Sequence, residues 1–145
     1  MGSSLSTSNH VNEEFTPFLK WNGHKPTSFD LYAPIFHSLV AMVEEGHVFN
    51  DAEELKAVSY LDILLAQFAK LGDFIACYLF PRHKDGNQAF VNHIWILLGC
   101  SYWNIAKTAF LLLSKWYLQS WVLLRAVRVL TRGSPFFGLG AVRFC

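Results

Sequence analysis

The chain has 145 residues, 52% of them hydrophobic and 16% aromatic, with a formal net charge of +1. That length suits one domain with its own core. Charged residues make up only 16%, against about 25% in ordinary soluble domains, so the composition excludes a disordered, highly charged chain and leaves apolar surface over for lipid or a partner. The near-neutral balance gives no broad basic footprint and excludes nucleic-acid binding as the leading reading.

The first residues, MGSSLS, match the N-myristoylation pattern, because loss of Met1 exposes Gly2 and Ser6 supplies the required hydroxyl. Gly2 is therefore the candidate lipidation site. One myristoyl chain gives an association constant of only about 10⁴ M⁻¹, so stable anchoring needs a second signal. Residues 1–14 are polar and aperiodic and read as a flexible leader. No secretory signal is expected, since the first strongly apolar run comes late. Residues 15–27, with two prolines and a glycine among aromatics, read as an irregular, partly packed segment.

A single all-α domain of three to five helices is expected over 15–132. Thr27 is a candidate cap with Asp30 three residues on, and the regular helix is placed from near Pro34 to Glu45, where Gly46 ends it. The stretch NDAEEL carries a stronger start signal, with Asn50 or Asp51 as cap and Glu53 or Glu54 completing a capping box. Leu61, Leu64, Leu65, Phe68, Leu71, Ile75 and Leu79 then recur at helical spacing, opposite Asp62, Ala66, Lys70 and Asp73. Pro81 stops this helix, and Asp85-Gly86 suits a tight turn.

From Gln88 to Arg132 there is no proline and Gly99 is the only glycine. One helix of about 45 residues, roughly 65 Å long, and two helices broken near Ser114 are both compatible with the pattern. Unbroken, it would align His93, Cys100, Asn104, Lys107, Ser114, Arg125, Arg128 and Arg132 on one stripe. No Asp or Glu follows Asp85. Trp121, Arg125, Arg128 and Arg132 fall at i, i+4, i+7 and i+11, which assigns them as a membrane-contact face for an anionic surface. Residues 133–145 lose helical periodicity and read as an irregular tail.

Other chemistry is not signalled. The six histidines never fall at i, i+3 or i, i+4, so no helical metal pair is expected, and the three cysteines match no zinc spacing. Their odd number fits a reducing, cytosolic setting. Cys77 and Cys100 read as small core residues, and Glu44, Glu45, Glu53 and Glu54 as helix-end charges. No catalytic residue or cofactor is implied.

The leading expectation is a non-catalytic, N-myristoylated adaptor or scaffold on the cytosolic face of a membrane, with a protein partner. Its rivals are an integral protein spanning near 89–113, a helical carrier of an apolar ligand held among Phe68, Phe74, Trp95 and Trp103, and a piece of a larger helical array.

Overall fold

A computed structural model describes residues 12–71 and 74–130, apart from the side chains at 69, 119–124, 126 and 127. The leader's first eleven residues and the tail lie outside these, as does the candidate lipidation site Gly2.

The described chain begins with a 3-10 turn, Glu13–Phe15, capped by Asn12, whose Oδ1 accepts from Glu14 N at 2.9 Å. It runs into α1, Thr16–Lys20, with Pro17 in the first turn where its missing N–H costs nothing. The segment read as irregular is thus partly helical. Phe18 anchors it: the ring is buried, and its N–H donates across 20 residues to Ser38 Oγ at 3.1 Å. A second 3-10 turn, Phe29–Leu31, leads into α2, Tyr32–Glu44. The cap is Ser28, accepting from Asp30 N at 3.3 Å, and not Thr27. An Asp one residue closer to its cap closes the tighter 3-10 geometry.

Gly46 ends α2 as its sequence position predicts. With φ at +78° it occupies the left-handed region. Gly46 N then reaches Val43 O and His47 N reaches Met42 O, the paired bonds of a Schellman stop. The capping box of α3, Asp51–Leu71, is also present: Asn50 Oδ1 accepts from Glu53 N at 2.8 Å, and Glu53 Oε1 accepts from Asn50 N at 3.1 Å.

The helix expected to run on to Pro81 is divided. α3 ends at Leu71 and a separate short α4 covers Ile75–Leu79. Division lets Ile75, Ala76 and Leu79 bury against α2 and α5 rather than continue the α3 stripe. α5, Gly86–Leu98, follows at once, capped by Asp85, whose Oδ1 accepts from Gln88 N at 3.0 Å. Gly86 permits this junction, because a Cβ there would sit 3.1 Å from the Ala76 carbonyl oxygen.

The long apolar run breaks at Gly99, not near Ser114. Gly99 N closes onto Trp95 O and Ile96 O, and a short turn leads to α6, Trp103–Leu130. Tyr102 fixes the turn by accepting, at its hydroxyl, the N–H of Phe49 at 2.8 Å. The break ends the continuous stripe through His93, Cys100 and Lys107. It also divides the 89–113 segment, and no helix among the described residues is long and apolar enough to cross a membrane.

All regular structure among the described residues is helical: six α-helices and two 3-10 turns, more than the three to five expected. The excess comes from α1 and α4, five residues each, too short to show a full period in sequence. α6 makes its main interfaces with α3 and α5, and α2 packs on α1, α4 and α5. Phe18, Phe36, Leu39, Tyr60, Leu64, Phe68, Phe90, Ile94 and Leu112 fill the shared core.

Candidate membrane-facing surface

α6 has 28 residues and no proline or glycine. Its inner face is set by Ile105, Ala109, Leu112 and Leu113, all buried, with Thr108 beside them. The Thr108 hydroxyl is satisfied within the helix by donation to Asn104 O at 2.8 Å. Leu112 and Leu113 pack inward beside it, while one turn further on the buried Trp116 Nε1 has no hydrogen-bond partner among the described residues.

The opposite face is also apolar, and it is open. Trp103 is 72% exposed, Phe110 and Leu118 58%, Tyr117 51% and Leu111 46%. At 3.6 residues per turn these positions fall in one stripe roughly 120° wide. Lys107 and Ser114 are exposed on the same stripe, and Arg125 and Arg128 are exposed towards its far end. No acidic side chain belongs to α5 or α6. The result is an apolar strip with basic residues along it, the residue pattern of a helix lying in a headgroup layer.

Of the four residues assigned from sequence as membrane contacts, Arg125 and Arg128 stand exposed on α6. Trp121 falls within α6 but its side chain lies outside the described set, and Arg132 lies outside the described residues altogether. The sequence reading named Trp103 only for its rival accounts and missed Phe110, Leu111, Tyr117 and Leu118. Their apolar character was plain, but a helix apolar nearly all round does not show which side faces the core.

The four aromatics proposed to hold an apolar ligand do not converge. Phe68 is locked in the core against Phe90, with ring centroids 5.8 Å apart, whereas Phe74, Trp95 and Trp103 are largely exposed. Cys100 is a half-buried free thiol donating to Tyr102 O, and burial is the main influence raising its pKa. That environment makes it a poor nucleophile. Cys77 is half-buried on α4.

Three histidines unrelated by helical spacing meet in space around Phe80. His37, His93 and His83 approach its ring at 4.7, 4.7 and 5.4 Å. His37 Nε2 donates to Leu79 O and His93 Nδ1 to Ala89 O, each at 2.8 Å. Among the described residues no group of three His, Cys, Asp or Glu side chains could hold a metal ion. Lys56 is likewise structural: Nζ donates to Leu19 O at 2.9 Å above the Phe18 and Trp21 rings, and desolvation lowers its pKa.

Comparison of the chain with protein-family models, with curated proteins and with solved structures gives no match.

Proposed function

We propose that the protein is a non-catalytic adaptor or scaffold held peripherally on the cytosolic face of a membrane by a myristoyl group on Gly2 and by the outer face of α6. The observation that carries this reading is that face itself: Trp103, Phe110, Leu111, Tyr117 and Leu118 are exposed on a helix with Lys107, Arg125 and Arg128 and without an acid. Contiguous exposed apolar residues on a small domain mark a contact surface, and the charge on this helix suits an anionic leaflet. Basic residues near such a leaflet contribute about 1 kcal/mol each. A myristoyl chain supplies the first attachment and α6 the second that it requires.

Fractionation of cells expressing wild type or Gly2→Ala, followed by an alkaline carbonate wash, tests the reading. Wild type should pellet with membranes and be released by carbonate, while Gly2→Ala should move to the soluble fraction. Equal distribution of the two proteins would remove the lipid from the account.

A further inference from the structure

The turn from Pro81 to Asp85 and the first two turns of α5 enclose an open pocket of about 580 Å³ on which Arg82, His83, Lys84, Gln88, Asn92 and His93 converge. Its hydrogen-bonding capacity is one-sided. Asp85 turns Oδ1 to Gln88 N at 3.0 Å, and Asn92 Oδ1 accepts from Gln88 Nε2 at 2.9 Å, so two of its acceptors are occupied within the chain. The donors are not used up in the same way. Arg82 and Lys84 are exposed and make no ion pair among the described residues. The Asn92 amide keeps both N–H groups beside its engaged oxygen, and the Gln88 amide keeps one N–H beside its carbonyl oxygen. His83 is held by an edge contact with Phe80 at 5.4 Å. His93 directs Nδ1–H to Ala89 O, which leaves Nε2 of the neutral ring as an acceptor. Two fixed cations stand against one carboxylate, Asp85, and the donors outnumber the acceptors.

We propose that this pocket binds a phosphate monoester, with Arg82 and Lys84 neutralising its charge and the Asn92 and Gln88 amides donating to its oxygens. A phosphate monoester fits because it carries about −1.5 to −2 charges near neutrality and three acceptor oxygens, where a carboxylate offers two oxygens and one charge. Arginine matches such oxygens in a planar, two-pronged arrangement and lysine adds a point charge. The volume exceeds that of inorganic phosphate, so the ester's organic portion shares the pocket. This inference is independent of the α6 surface and of Gly2. Its ligand has two possible sources, a soluble phosphate ester or a lipid with a terminal phosphate.

Calorimetric titration of the full chain with glycerol 3-phosphate tests the pocket without any membrane. Saturable binding is expected, weakened about tenfold or more in Arg82→Ala/Lys84→Ala and unchanged in Lys20→Ala/Lys25→Ala, which removes a basic pair elsewhere. Because Arg82 and Lys84 are exposed, the thermal midpoint of the variant should match wild type. Flotation with phosphatidylcholine vesicles containing either phosphatidic acid or phosphatidylserine, matched in surface charge, then assigns the source. A preference for phosphatidic acid that the double substitution abolishes identifies a lipid headgroup, and glycerol 3-phosphate binding without that preference identifies a soluble ester. Absence of saturable glycerol 3-phosphate binding, or equal binding by wild type and Arg82→Ala/Lys84→Ala, overturns the proposal. Neither result bears on Gly2→Ala, which leaves the pocket intact.

Discussion

His93 sits where two aromatic rings and a second imidazole meet. It lies half-buried with its ring 4.7 Å from Phe80, 6.0 Å from Phe36 and 5.3 Å from His37. Burial is the main cause holding its pKa below the ordinary imidazole value, His37 and His83 act in the same direction, and the Ala89 carbonyl and Glu44 oppose them. The unfolded chain therefore takes up this proton first. The stabilisation is fully present above the unfolded pKa, about 6.5, and is lost as pH falls through that value towards the lower folded one. The thermal midpoint of wild type should accordingly drop below about pH 6.5, and His93→Gln should flatten that part of the profile. An unchanged slope in His93→Gln would place the acid sensitivity elsewhere.

At the scale of elements, helix ends test how the chain is punctuated. Asn50→Ala removes the side-chain half of the α3 capping box and should cost about 1 kcal/mol in urea denaturation. Gly86→Ala gains helix propensity of about 1 kcal/mol but drives a methyl to 3.1 Å from the backbone oxygen of Ala76. The carbonyl cannot swing aside like a side-chain tip, so a net loss is expected, within the roughly 1–3 kcal/mol of overpacking. Gly99→Ala is the control, since its nearest neighbours would be 3.7 Å from the new carbon and its φ is −84°. Its stability should change by no more than about 0.5 kcal/mol. The same contrast explains what could be read from sequence. The stop at Gly46 and the cap at Asn50 are settled by residues within one turn, so they are legible. The break at Gly99 depends on Phe49 binding Tyr102 from 53 positions away, and the division before α4 on burial against α2 and α5. Each break falls beside a glycine, Gly99 and Gly72, but a glycine alone does not say that a helix must end there. The histidine cluster was hidden for the same reason: its three members come from α2, the Pro81–Asp85 turn and α5.

For the whole molecule, the decisive property is that over residues 103–118 α6 is apolar on two sides while only one is covered. Phe110→Ser/Leu118→Ser alters the uncovered side alone, and because both residues are more than half exposed the folded state should lose no more than about 0.5 kcal/mol per site. Co-sedimentation with phosphatidylcholine/phosphatidylserine vesicles should fall about tenfold or more, since burying one such side chain is worth roughly 1.5–3 kcal/mol. Raising the salt should weaken wild-type binding further by screening the basic residues. Vesicle binding equal to that of wild type would show that this face meets something other than lipid. Sequence periodicity marked 88–132 as helical and set Lys107, Arg125 and Arg128 on one stripe, but only the packing of Ile105, Ala109 and Leu112 inward identifies the side left open.

Trp103 gives that open side an optical handle. Its indole is 72% exposed at the start of α6 and that of Trp95 on α5 is 58% exposed, whereas Trp21 and Trp116 are partly buried against the core. Fluorescence from this chain thus combines indoles in water with indoles already in an apolar setting, and the water-facing contribution is the one that aqueous quenchers reach. When α6 meets an apolar phase, the emission of Trp103 shifts to the blue and its quenching declines, so an unlabelled sample reports its own arrival at a surface.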